Sequence, residues 1–254
     1  MGLMLNGVLG FLLGAVVGSF AATVLVRWPQ GRAVSRGRSS CDRCQATLGP
    51  LELVPVLSFI IQRGRCRRCG GSIDARHVAV ELAAGVTGAV AFIAHPLPLA
   101  LATAVLGWWL LLIACLDFEH HWLPDALTLP LVPAGLAVAY AGIGPSLVDR
   151  AVGAAVAAAA LWLIARAYRL VRRRDGMGAG DWKLFAGLGA WLGWTTLPFV
   201  LLGASILGLA AAILMRARGG DVSGATRLPL GTLLAVAAWP LWLLNAAAAP
   251  ILFD

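Results

Sequence analysis

Residues 97–117 read LPLALATAVLGWWLLLIACLD: twenty residues, 97–116, pass without a charge before an aspartate follows directly. An α-helix rises about 1.5 Å per residue, so about 20 apolar residues cross the roughly 30 Å hydrocarbon core of a bilayer. Working outward, similar runs recur over the whole chain. The candidate spans are 3–26, 78–95, 97–116, 126–142, 150–169, 182–195, 197–215 and 229–249, eight in all. The stretch 182–195 is short and holds Gly187, Gly189 and Gly193, small residues that let neighbouring helices approach closely. Pro96, Pro145 and Pro198 punctuate the turns between spans. This pattern predicts an all-α polytopic membrane helix bundle.

Composition agrees. Of 254 residues, 60% are hydrophobic and only 13% charged, with mean hydropathy +0.84, where a soluble domain carries about a quarter charged residues. Net charge is +8, and every basic residue except Lys183 is arginine. Residues 27–77 hold ten of these arginines, 166–174 five and 216–227 three, while the loops near 96, 145 and 196 share only Arg150. Clustering between apolar runs encodes orientation in a bilayer, not nucleic-acid binding, and lipid is the expected surrounding. The counts alternate consistently over eight spans. They place the three basic loops in the cytoplasm and both termini on the far side of the membrane. The first apolar stretch begins at Leu3 with no basic region before it and no small-residue cleavage site after it, so it reads as a retained span. The ten tryptophans read as interfacial belts and lipid-facing filler.

The long loop between the first two spans carries Cys41-Asp-Arg-Cys44 and Cys66-Arg-Arg-Cys69, with 21 residues between the pairs. Two such knuckles supply four thiolates to one tetrahedral zinc and close a small domain with little core of its own. Neighbouring arginines favour the thiolate form. A loop on the reducing side of the membrane does not keep disulfides. Four protein ligands leave no position for water, so the metal is read as structural. Cys115, at the end of the third span, reads as a packing residue.

Only twelve acids are present, and a carboxylate at the bilayer centre costs about 2.5–3.5 kcal/mol on insertion scales. Asp117 follows the third span directly, in Asp117-Phe118-Glu119-His120-His121-Trp122-Leu123-Pro124-Asp125; Asp181 ends Gly178-Ala179-Gly180-Asp181 and opens the sixth. Two carboxylates at one membrane depth share a proton and activate a water. Glycines 176, 178 and 180 let the backbone turn sharply beside a substrate strand. The alternative is plain: Asp117 and Asp125 as interfacial residues and Asp181 as an N-terminal helix carboxylate. Asp125 reads most simply as a helix cap, Lys183 as a residue reaching to the interface, and His120 and His121 as interfacial. Glu81 reads as a functional intramembrane acid or a snorkelling one.

In this order the features resemble the type IV prepilin peptidase family, bifunctional leader peptidases and N-methyltransferases of bacterial pilus and type II secretion systems. Gly18-Ser19-Phe20 through Arg27-Trp28-Pro29 resembles the opening motif. Cys41 through Glu52-Leu53-Val54-Pro55-Val56-Leu57-Ser58 to Cys69-Gly70 is similar to the cysteine-rich domain, and Arg76 through Val80-Glu81-Leu82 to the stretch leading into the second span. Asp117 with Leu123-Pro124-Asp125-Ala126-Leu127-Thr128-Leu129-Pro130 is similar to the first catalytic-aspartate motif; Gly176-Met177-Gly178-Ala179-Gly180-Asp181-Trp182-Lys183-Leu184 resembles the second, the GxGD motif.

The resemblance implies that Asp117 and Asp181 are the catalytic pair, with Gly178, Gly180 and Lys183 in the active-site loop and Asp125 outside the pair. It implies cleavage after a glycine, on the cytoplasmic side, of short basic leaders from type IV prepilin or pseudopilin precursors. It also implies methylation with S-adenosylmethionine as donor. Its parts would be a first span at 1–26, a cytoplasmic zinc domain at 27–77 and a bundle with the peptidase site at 78–254. One position departs: the family's opening motif commonly carries Asn two positions after the Phe, where this chain has Ala22. Two rivals make different demands. A presenilin-type protease shares the GxGD tetrad but lacks the four-cysteine loop. A zinc-dependent transporter or sensor would use Asp117, His120, His121 and Asp181 as an ion path.

Overall fold

The computed structural model describes residues 2–34, 39–173, 176–220 and 226–248. Among them all regular structure is helical: α1 (Gly2–Arg27), α2 (Leu57–Ile61), α3 (Ala75–Ala94), α4 (Leu99–His120), α5 (Asp125–Thr128), α6 (Leu131–Tyr140), α7 (Leu147–Arg172), α8 (Ala179–Leu192), α9 (Leu197–Ala217) and α10 (Leu230–Ala248). Five helices, α1, α3, α4, α7 and α9, are long and apolar enough to cross a membrane. The other three predicted stretches are helical but shorter. The fourth is broken into α5 and α6, because Pro130 has no N–H to continue the α5 ladder.

Two compact units divide the chain, residues 1–112 and 113–254, with the boundary inside α4. In the first unit α1 pairs with α3. The inward face of α1 is small, with Gly7, Gly10, Gly14, Gly18 and Ala22 buried. Its outward face carries exposed Leu5, Leu9, Leu12, Val16 and Phe20. That inside-out arrangement suits lipid, where large apolar side chains gain nothing by hiding and close backbone approach supplies the packing. The approach is tight: a Cβ on Gly14 would lie 2.1 Å from the Ala84 carbonyl oxygen, and one on Gly88 2.1 Å from that of Gly10. Trp108 of α4 adds to the pair, its Nε1–H donating to the Ala84 carbonyl at 2.8 Å.

In the second unit α8 is the central element, with ten of its 14 residues buried. It packs against α6, α7 and α10. Gly153 of α7 and Gly189 of α8 face each other, a Cβ on either meeting the other's carbonyl within 2.6 Å. The buried Trp191 donates its Nε1–H to the Leu131 carbonyl at 3.0 Å and meets Trp242 edge-on at 5.6 Å between ring centroids. Trp108, Trp191 and Trp242 are thus buried core residues, not belt residues: the indoles fill volume, and the Trp108 and Trp191 N–H groups each find a carbonyl. Arg150, counted above as a loop cation, is instead fully buried in α7. Its guanidinium donates to the Gly135 and Ile143 carbonyls and stacks 5.1 Å from the Trp242 ring centroid. With Arg150 removed from the count, the loops near 96, 145 and 196 hold no Lys or Arg at all, which sharpens the asymmetry.

Candidate active site and metal centre

The second unit brings Asp117 and Asp181 together as buried carboxylates. Asp117 lies in the last turn of α4. Its Oδ2 accepts the Thr232 backbone N–H at 2.8 Å, with the Thr232 hydroxyl 3.3 Å away. That N–H belongs to the first turn of α10, where no intrahelical acceptor exists. The same hydroxyl lies 2.9 Å from the Ala114 carbonyl, so its single proton is shared between α4's backbone and the carboxylate.

Asp181 is the third residue of α8, and its Oδ2 reaches back to the Gly178 N–H at 2.9 Å. The helix-cap alternative is therefore what the geometry shows, and it does not displace the functional reading. Each aspartate uses Oδ2 to satisfy an orphan N–H at a helix N-terminus, and each Oδ1 has no partner among the described residues. The charge on Asp117 also acts on Asp181.

Leu123 ties the two together. A Cβ on Gly180, next to Asp181, would lie 2.4 Å from the Leu123 Cβ. One on Gly231, next to Thr232, would lie 2.9 Å from Leu123 Cδ1 and 3.0 Å from Asp117 Oδ2. Both glycines are needed because no side chain fits beside Leu123. Lys183 does not reach alone to an interface: its Nζ donates to both oxygens of Asp125, at 2.6 and 2.8 Å, pinning the start of α8 to α5. His120 and His121 are exposed, and His120 lies 3.7 Å from Glu119, so neither joins the buried pair. Residues 174 and 175, before the Gly176–Gly178 turn, lie outside the described residues.

Thr232 and Gly231 were not singled out from the sequence, and Leu123 entered only as a member of the first aspartate motif. Pro229-Leu230-Gly231-Thr232 before an apolar run is a helix-start pattern, but Thr232 is neutral and lies 115 residues from Asp117.

The first unit holds the cysteines. The two knuckles repeat one pattern: Cys41 N–H donates to Ala46 O and Gln45 N–H to Cys41 O, as Cys66 N–H does to Gly71 O and Gly70 N–H to Cys66 O. Gln45 and Gly70 turn the chain with φ of 57° and 67°. The Sγ atoms of Cys41, Cys44, Cys66 and Cys69 lie within 4.8 Å of one another, the one cluster among the described residues able to hold a metal. Tetrahedral thiolates around zinc stand about 3.8 Å apart, so a modest contraction closes the site. The donor chemistry fits as well. N–H groups of Cys69 and Arg68 hold the Cys66 thiol down to about 7. Cys44 is pushed up to about 11; the Ala46 N–H lowers it, but burial and the Cys41, Cys69 and Cys66 sulfurs together outweigh that. Four sulfurs this close need protons or a cation between them.

Elemental analysis of the purified chain is expected to find about one transition-metal ion per chain, lost together with thermal stability in Cys41→Ser and Cys69→Ser. Unchanged metal content in both variants would show that the cluster is not the binding site.

A bacterial peptidase A24 N-terminal domain model matches residues 12–95, and a type IV leader peptidase family model matches residues 104–213. A prepilin leader peptidase/N-methyltransferase of Stutzerimonas stutzeri is 36% identical over 252 residues, covering 90% of this chain and 87% of the relative. One from Aeromonas hydrophila is 41% identical over 204 residues, covering 80% and 70%. One from Dichelobacter nodosus is 38% identical over 210 residues, covering 82% and 71%. No solved structure matches the chain. The chain belongs to the type IV leader peptidase family.

Proposed function

We propose that this chain is an aspartic endopeptidase of the bacterial inner membrane that cleaves the basic leader from type IV prepilin or pseudopilin precursors after a glycine. The observation that carries this is the pair of buried aspartates, Asp117 and Asp181, each anchored through Oδ2 and each with Oδ1 unpartnered among the described residues. Held this way, one ionised carboxylate takes a proton from water as it adds to the scissile carbonyl. The other, protonated, gives its proton to the leaving amine as the C–N bond breaks. Gly178 supplies the N–H that Asp181 accepts, Gly180 lets α8 close on Leu123, and Lys183 with Asp125 fixes the start of α8. The arginine clusters support an active site at the cytoplasmic face, and a count of eight spans is consistent with their alternation. The parts are a first span at 1–26, a zinc domain at 27–77 and a lipid-embedded bundle with the peptidase site at 78–254. Zinc on Cys41, Cys44, Cys66 and Cys69 is structural, since four thiolates leave no open position.

The relatives' names join leader cleavage to N-methylation, and we extend that second activity to this chain with S-adenosylmethionine as donor. The donor supplies an electrophilic methyl group for the newly released amine. Ala22 does not argue against it: the side chain is fully buried in the α1–α3 packing.

Detergent-purified Asp117→Asn and Asp181→Asn proteins, incubated with a pilin-like precursor and read by gel shift, are expected to lose at least about 100-fold in cleavage rate. Asn still accepts the Thr232 or Gly178 N–H, so the fold survives while proton exchange does not. Wild-type rates in either variant would remove the aspartic mechanism.

Thr232→Pro separates positioning from folding, because the first turn of a helix tolerates proline and the substitution deletes the N–H given to Asp117. Its kcat should fall roughly 10- to 100-fold with KM little changed, whereas Thr232→Val, which keeps the N–H, should stay within several-fold of wild type. Equal behaviour of the two variants would show that this N–H does not orient Asp117.

A further inference from the structure

The loop between α1 and α3 carries an apolar patch that stands exposed. Leu57, Ile60 and Ile61 lie on one side of α2 at helical spacing, and all three are exposed, Ile60 at 63%. Leu51, Leu53 and Val54, just before α2, are exposed as well. Ser58, Phe59 and Gln62, on the other side of α2, line a cavity together with Ser19, Phe20 and Thr23 of α1. Six large apolar side chains within eleven residues of chain make a patch that water disfavours and that marks a contact surface.

The patch is held beside the long helices. Val56 caps α2 with φ 61°, a conformation that a β-branched residue keeps only where its surroundings hold it. Its N–H, a donor that a helix start leaves without an intrahelical acceptor, goes to Oε2 of the buried Glu81 at 2.7 Å. Glu81 lies six residues after Ala75, about 9 Å along the axis of α3 and inside the apolar stretch 78–95. Ser19, Phe20 and Thr23 lie likewise inside the apolar stretch of α1. The hydrogen bond and the shared cavity therefore hold α2 level with segments read as membrane-spanning, at their arginine-rich end. Glu81 is neither idle nor snorkelling; it anchors the start of α2.

Charge says which surface the patch meets. Arg63, Arg65, Arg67 and Arg68 follow α2 directly, all exposed and none paired with a carboxylate among the described residues. The loop's acids are occupied elsewhere: Asp42 lies 3.1 Å from Arg32, Asp74 pairs with Arg76, and Glu52 accepts the Gly49 N–H at 2.7 Å. An apolar face followed by unpaired arginines suits the boundary between acyl chains and anionic headgroups. We propose that α2 is an interfacial element. It seats Leu57, Ile60 and Ile61 among the acyl chains of the leaflet on the arginine-rich side, and Arg63, Arg65, Arg67 and Arg68 meet anionic lipid headgroups. The cysteine-bearing loop is thereby laid on the membrane surface. This rests on α1 and α3 crossing the bilayer and is independent of the catalytic reading.

The test places a benzophenone amino acid at Ile60 of the full chain, and separately at the exposed Leu9 of α1 as the lipid-facing reference. Each protein is reconstituted in bilayers of phosphatidylcholine with or without phosphatidylglycerol, illuminated, and its covalent adducts are weighed by mass spectrometry. The probe at Ile60 should give acyl-chain adducts as the probe at Leu9 does, in higher yield when phosphatidylglycerol is present. Arg63→Gln, Arg65→Gln, Arg67→Gln and Arg68→Gln together should lower the Ile60 yield in phosphatidylglycerol at least about threefold and leave the Leu9 yield unchanged. Lys at the same four positions keeps the charge and should restore it. Lipid adducts at Leu9 but none at Ile60 overturn the proposal. So do Ile60 adducts to a second copy, to residues 113–254 or to an added pilin-like precursor in place of lipid, which would make the patch a protein-docking face. An Ile60 yield indifferent to the Gln substitutions, or lost equally with Lys, overturns the headgroup contact.

Discussion

An ionisable carboxylate among apolar helices needs N–H donors that the helices have not already used, and helix N-termini are where such donors remain. Asp117 and Asp181 each occupy one. The Thr232 N–H at the start of α10 meets the first, and the Gly178 N–H before α8 meets the second. The rest of the second unit follows from holding these two helix starts beside the end of α4. Leu123 seats against Gly180 and Gly231, and the Asp125–Lys183 pair ties α5 to α8. Burial of α8 by glycine contacts with α6 and α7 removes its freedom to move relative to that frame. A bilayer offers little drive to bring helices together through large apolar side chains, so these close backbone contacts carry the packing.

The same rule shapes the first unit, where α1 turns its small residues inward and its leucines outward. The cysteine loop has a different problem. Its short α2 buries no residue, so the two matched knuckles and their four sulfurs stand in for a core, and a bound metal supplies closure that apolar burial does not.

Helix positions were legible because long uncharged runs have one reading in a membrane protein, and the acids Asp117 and Asp181 stood out because so few charges interrupt those runs. The cysteine spacing was equally direct. What was not legible depends on tertiary partners. Thr232 carries no charge and reaches Asp117 through its backbone. Arg150 counts as a loop cation until Trp242 and two carbonyls are seen around it. Trp108, Trp191 and Trp242 look like belt residues in the sequence, and only their tertiary partners, carbonyls for the first two and Trp191 with Arg150 for the third, place them in the core. Lys183 met Asp125 across 58 residues of chain, a pairing that neither local sequence announces. The break between α5 and α6 was within reach, since Pro130 is the residue that interrupts the ladder.

Whether Asp117 and Asp181 work as one proton-sharing unit is read most directly from the pH dependence of kcat/KM for leader cleavage by the metal-replete wild-type protein. A pair that must carry a single proton gives a bell-shaped profile, whose two apparent pKa values belong to the pair and not to either residue. A rate that rises through a single ionisation to an alkaline plateau, with the protein folded throughout, would contradict it.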